Sequence, residues 1–185
     1  MDWRRMLVVV SGVCALVVVS GCAREKALVK AEVATVEVEV AKAKATVTDA
    51  TKIALDSEGP LGIETVGEWP DGLGGEDLGS GCKFALKGAG ECKFIWRPLL
   101  PKAGQYRVSV WFGGDPNSDH ATDSPFTVYY DGGQTTSKVD QTKSSGGWKV
   151  LGAYPFKAGK SGYVELTNKA NGNVVADGVQ FEFVR

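Results

Sequence analysis

Gln105-Tyr106-Arg107-Val108-Ser109-Val110-Trp111-Phe112 is the stretch that decides the fold class. Tyr106, Val108, Val110 and Phe112 put one apolar face on an extended strand, with Arg107 and Ser109 on the other face. Val179, Phe181 and Phe183 repeat the pattern near the end of the chain, with Gln180 and Glu182 pointing outward. Strands that are apolar on one side only are half-buried, and two sheets of them can pack face to face. Working outward, the same texture predicts strands at 53–57, 63–68, 81–86, 92–97, 105–112, 125–130, 135–142, 149–157, 162–167 and 174–184. Turn clusters separate them: Asp131-Gly132-Gly133, Ser144-Ser145-Gly146-Gly147, Lys157-Ala158-Gly159 and Asn171-Gly172-Asn173. Many short strands at this spacing predict an all-β sandwich of jelly-roll type over 53–185, long enough to bury its own core.

Residues 22–52 have a different texture. From Ala23 to Lys52 there is no Gly, Pro or aromatic residue. Val36, Val38 and Val40 alternate with Glu37 and Glu39, but the apolar parity flips at Ala41. A regular strand would then be apolar on both sides, so we expect a solvated tether. A strand added to the sandwich, or a partner-binding helix, is the competing expectation.

Residues 1–21 carry Arg4 and Arg5, then an apolar run from Met6 to Val19, then the small residues Ser20 and Gly21 before Cys22. This layout resembles the signal peptide of bacterial lipoproteins. The resemblance implies cleavage after Gly21 and a lipid on the Cys22 sulfur. The expected location is the bacterial cell envelope. Ala23, rather than Asp, after the cysteine favours the outer membrane, on its periplasmic side or at the cell surface. The apolar run is shorter than the roughly 20 residues a spanning helix needs.

Charge excludes one class of partner. Lys and Arg total 21, Asp and Glu 22, and there is a single His, for a net charge of −1. No basic patch is available to attract nucleic acid. Of the four cysteines, Cys14 belongs to the leader and Cys22 to the anchor, leaving Cys82 and Cys92. If 86–88 forms a three-residue hairpin loop with Gly88 left-handed, Ala85 faces Ala89 and Cys82 lies opposite Cys92. In an exported protein that register predicts a disulfide, stabilising by about 2–3 kcal/mol.

Several stretches resemble the golvesin C-terminal-like domain, also called the xanthan-lyase carbohydrate-binding-like domain. They are Pro101-Lys102-Ala103-Gly104-Gln105-Tyr106-Arg107-Val108, His120-Ala121-Thr122-Asp123-Ser124-Pro125-Phe126-Thr127-Val128 and Gly146-Gly147-Trp148-Lys149-Val150-Leu151-Gly152-Ala153-Tyr154-Pro155-Phe156. Gly162-Tyr163-Val164-Glu165-Leu166 and Val174-Val175-Ala176-Asp177-Gly178-Val179-Gln180-Phe181 complete the set. The resemblance implies a galactose-binding-like β-sandwich that serves secreted bacterial proteins as an accessory module. His120 stands where that family usually has Arg. The implied role is non-catalytic binding of a polysaccharide or glycan; an envelope or surface module that binds protein is the alternative.

Candidate ligand-binding residues are Trp69, Trp148 and His120. Trp69 sits in a Gly-rich loop and Trp148 follows two glycines, where an indole can meet a sugar face or pin a loop. Asp115, Asn117, Asp119 and Asp123 occupy positions 1, 3, 5 and 9 of a calcium-loop count, but His120 replaces the Gly and Phe126 the final Glu. No cofactor is expected, with calcium on those four residues the weaker alternative. Asp177, between Ala176 and Gly178, is expected to accept backbone donors at a bend. His120 with Ser118 or Ser124 lacks a nucleophile elbow. Glu165 and Asp177 are carboxylates of a kind any β-sandwich places by chance, so no enzyme activity is expected.

Overall fold

The computed structural model describes residues 6–10, 13–17, 51–72, 76–113, 119–143 and 147–185, the first two segments as backbone only. Cys22, nearly all of the 22–52 segment, Asp115 and Asn117 lie outside the described residues. The chain divides into two compact units, Met1–Thr48 and Asp49–Arg185. In the first, strands β1 (Met6–Val10) and β2 (Val13–Val17) pair antiparallel.

The second unit is all-β. Its strands are β3 (Lys52–Asp56), β4 (Ile63–Val66), β5 (Asp71–Gly72), β6 (Cys82–Ala85), β7 (Lys93–Trp96) and β8 (Gly104–Trp111). They continue as β9 (Ser124–Tyr130), β10 (Gly133–Val139), β11 (Lys149–Phe156), β12 (Tyr163–Thr167), β13 (Val174–Ala176) and β14 (Gly178–Phe183). A five-stranded sheet has the order β10-β9-β12-β7-β4 and a four-stranded sheet the order β11-β8-β14-β3. A short third sheet, β13-β6-β5, completes the unit. All pairings of named strands are antiparallel, and the architecture is a jelly-roll β-sandwich.

The alternation read from the sequence sets the layers. Tyr106, Val108 and Val110 of β8 and Val179 and Phe181 of β14 are buried, as are Phe94 and Trp96 of β7, Phe126 and Val128 of β9, and Val164 and Leu166 of β12. They form one core cluster fed by both large sheets. Phe94 and Trp96 pack with ring centroids 4.7 Å apart, and the Trp96 Nε1–H donates to the Asp177 carbonyl at 3.2 Å. That bond satisfies the one polar atom of the largest core side chain.

Two expectations are corrected. The 174–184 strand is broken at Asp177: β13 belongs to the three-stranded sheet and β14 to the four-stranded one. The 82–92 hairpin does not form. β6 pairs with β13 and β5, whereas β7 pairs with β12 and β4, so Cys82 and Cys92 lie in or beside different sheets. Both are free thiols, and the expected disulfide is absent. Between the two strands, Asn168 gathers 86–92 into a loop rather than a tight turn. Its Oδ1 accepts from the N–H groups of Gly90 and Cys92, each at 3.1 Å. Its Nδ2 donates to the Leu86 carbonyl at 3.1 Å and to Glu91 Oε1 at 3.0 Å. Gly90, with φ of 107°, is the left-handed residue of this loop.

Candidate functional site

The outward-facing side chains of the five-stranded sheet form a grid that the ladder register fixes. Glu64 pairs with Ile95, Ile95 with Glu165, Glu165 with Thr127, and Thr127 with Thr136. This row crosses all five strands. Tyr163 pairs with Tyr129, which pairs with Gln134, and these residues flank the row on one side with Arg97. Lys93, paired with Val66 and Thr167, flanks it on the other.

The middle of the row is sunken. Glu165 retains only 10% of its side-chain exposure and Thr127 is buried, although both point away from the core. The flanking side chains close over them. Lys93 Nζ lies 3.2 Å from Glu165 Oε2, and the Tyr129 hydroxyl donates to Glu165 Oε1 at 3.4 Å. The Tyr129 and Tyr163 rings stack at 4.3 Å and 16°. The Arg97 guanidinium covers the other face of Tyr163 at 4.1 Å from the centroid. Arg97 also grips Glu64 through Nε at 2.6 Å and Nη2 at 3.3 Å. This fork holds the Glu64 carboxyl below its ordinary range and raises the Arg97 guanidinium. Burial pushes the Tyr129 phenol up, and the nearby Glu165 adds to that. Thr127 Oγ1 and Thr136 Oγ1 share a hydrogen bond of 2.8 Å. The result is a polar strip, called the trough below, with a covered carboxylate and hydroxyls along its middle and planar groups along one side.

The residues singled out from the sequence have other neighbours. Trp69 is half-buried; its Nε1–H donates to the Val66 carbonyl at 3.1 Å and its ring meets Phe94 edge-on at 5.1 Å. Trp148 is half-buried and meets Trp111 edge-on at 5.6 Å, near Gly178 of the four-stranded sheet. His120 bridges to Asn173, with its Nδ1 3.3 Å from the Gln141 carbonyl. Each ring is thus engaged within the fold, and the three do not share one set of contacts. Asp123 accepts from the Asn171 N–H at 2.8 Å and pairs with Lys138 at 3.4 Å, while the Asp119 carbonyl accepts from Asn173. Among the described residues no group of three or more His, Cys, Asp or Glu is placed to hold a metal ion.

Asp177 is buried and its carboxylate accepts from the Leu78 N–H at 3.0 and 3.2 Å, as its place at a bend predicts. Burial pushes this carboxyl up to about 7; the Leu78 bond opposes the rise, and Asp77, Asp56 and Glu58 add to it. Burial, reinforced by Asp77, likewise pushes the Cys82 thiol up to about 12. Neither Glu165, outward on β12, nor Asp177, beneath the 76–80 loop, meets the other.

Sequence reasoning passed over Tyr129, Tyr163, Arg97, Lys93 and Glu64. The available signal was parity: Thr127 and Tyr129, like Tyr163 and Glu165, alternate with buried apolar residues and so share outward faces.

Residues 53–183 match the family model described as the Golvesin C-terminal domain. The xanthan lyase of Bacillus sp. (strain GL1) is 36% identical over 98 residues, which is 51% of this chain and 10% of that protein. The structure of Paenibacillus xanthan lyase superposes with a TM-score of 0.68 and 30% identity, covering 73% of this chain and 13% of that one. The exo-β-1,3-galactanase of Phanerochaete chrysosporium superposes with a TM-score of 0.50 at 13% identity, over 71% of this chain and 29% of its own, a likeness of fold alone. The chain thus spans about a tenth of the length of the curated relative it matches.

Proposed function

This chain belongs to the golvesin C-terminal domain family, and from that premise we propose that it is a non-catalytic module that binds polysaccharide in the trough of its five-stranded sheet. The observation that carries the reading is Glu165, an outward carboxylate sunk to 10% exposure between the Tyr129 hydroxyl and the Lys93 ammonium. A preorganised acceptor beside phenols and an ammonium suits a ligand rich in hydroxyl groups, which both donates and accepts. The relative named as a xanthan lyase supports a polysaccharide as the ligand class. The reading needs no cofactor.

The test is a glycan array with the full chain, then titration of Glu165→Gln and Tyr163→Ala. We expect binding in the wild type and a loss of about tenfold or more in each variant with the fold retained, the midpoint of Tyr163→Ala falling modestly as its Tyr129 stack and Arg97 contact are lost. Absence of binding to any glycan, or binding untouched by both variants, refutes the reading.

The same proposal places the module on a bacterial envelope, expected at the outer membrane, through lipid on Cys22. Its support is the Ser20-Gly21-Cys22 ending of the leader. Metabolic labelling with a radioactive fatty acid that is lost in Cys22→Ala tests it; equal labelling of both chains refutes it. A second reading, a protein partner that adds a strand, draws on β10, a seven-residue outer strand whose residues are mostly exposed. Lys138 on that strand is a feature that discourages such pairing.

A further inference from the structure

We infer that the trough takes the interior of an extended, uncharged polysaccharide, lying across the strands, rather than a chain end or an acidic sugar. This rests on the trough being the binding site.

Geometry argues for an extended ligand. The floor row runs from Glu64 on β4, one outer strand, to Thr136 on β10, the other. Five strands spaced at about 4.8 Å give it a length of about 19 Å, that of a short run of linked sugars rather than one ring. Both end residues are exposed, so the row is open at each edge of the sheet. A site for a terminal residue needs a closed end, and the exposed Glu64 and Thr136 do not close this row.

Charge argues for a neutral ligand. Lys93 is paired with Glu165, Arg97 with Glu64, and Lys138 with Asp123. The outward cations of these strands are therefore spoken for. An anionic sugar gains a cation only by taking it from a carboxylate, which then repels the newcomer. A hydroxyl inserts without breaking a pair, accepting from Lys93 or donating to Glu165. Lys160, beyond Glu64, already leans its charge on that carboxylate.

The aromatic stack argues for hydroxyl contacts. Tyr163 has Tyr129 on one face and the Arg97 guanidinium on the other. Its edge and hydroxyl, not its face, are what a ligand meets. The trough therefore reads the rim of a sugar chain, where the hydroxyls are, rather than its flat face.

The experiment uses the full chain in calorimetric titrations. Neutral β-glucan, galactan and xylan oligosaccharides are compared from monosaccharide to hexasaccharide, each with and without borohydride reduction of its end. Polygalacturonate oligosaccharides form the acidic arm. We expect affinity for one neutral series to rise by about tenfold or more between disaccharide and hexasaccharide. Reduction of the end should change it less than about twofold, and added salt should leave it nearly constant. Glu165→Gln should weaken the hexasaccharide. A monosaccharide that binds as tightly as the hexasaccharide, or tighter binding of the acidic series that Glu165→Gln further strengthens, overturns this inference while leaving the trough as the site. No response of any series to Glu165→Gln and Tyr163→Ala overturns the trough itself.

Discussion

Replacing Asp177 by Asn should invert how stability depends on pH. The carboxylate is 1% exposed, and it is raised from an ordinary 3.8 to about 7. Between those two values the folded chain holds the proton and the unfolded chain has lost it. Raising the pH through this window therefore favours unfolding, at up to about 1.4 kcal/mol per pH unit. A shift of about three units gives a total near 4 kcal/mol, present below pH 4 and lost by pH 7. Asn keeps an oxygen for the Leu78 N–H and carries no charge at any pH, so it imitates the protonated carboxyl. The carboxylates held below their ordinary range, among them Glu64, Asp123 and Glu182, give the opposite slope, but they do so in both proteins. The difference between the two proteins isolates residue 177. Urea unfolding followed by tryptophan fluorescence at intervals from pH 4 to pH 8 measures it. We expect near-equal stability at pH 4 and an Asn variant more stable by a few kcal/mol at pH 8. Parallel stability curves across that range, or an Asn variant equally destabilised at both ends, refute the reasoning.

Other perturbations reach different parts of the fold. Asn168→Ala removes the four side-chain bonds that gather 86–92, so stability should fall by about 2–4 kcal/mol and the Gly90 and Cys92 amides should exchange faster in deuterium-exchange measurements. Gly62→Ala puts a Cβ 2.6 Å from the Arg97 carbonyl at a φ of 76°, and the melting temperature should drop by the equivalent of about 1–3 kcal/mol. Peptide mapping after alkylation in denaturant should recover Cys82 and Cys92 as separate modified thiols. In the folded chain Cys82, buried and pushed up to about 12, should react more slowly than Cys92.

The layering was legible because burial writes itself into alternation. Tyr106, Val108 and Val110, and Val179 and Phe181, are all inward as their parity predicts. Each of the ten expected strands exists, though the last divides at Asp177. What could not be read was adjacency. The echo of Gly81-Cys82-Lys83-Phe84 in Glu91-Cys92-Lys93-Phe94 invites a hairpin, yet the two copies join different sheets, and a buried Asn far along the chain holds the loop between them. The trough was hidden for the same reason. Tyr129 and Tyr163 are neighbours only because β12 pairs with β9, and Glu165 meets Lys93 only because β12 also pairs with β7. Single aromatics drew attention from the sequence, whereas the site is a product of strand order, to which composition is blind.

The position of β14 has a consequence for how the chain comes into being. It is the last strand made, yet it lies inside the four-stranded sheet, between β8 and β3. β3, the first strand of this unit, has its ladder partner in β14 alone, and Phe183 donates back to the Thr51 carbonyl. The opening strand must therefore wait, unzipped, until β14 has emerged. Its closure spans almost the whole unit, the kind of long-range pairing that forms late. Until β14 emerges, β3 and the edge of β8 that β14 covers stay unpaired, so an unfinished chain carries two bare ladder edges that a chaperone or a second chain can reach.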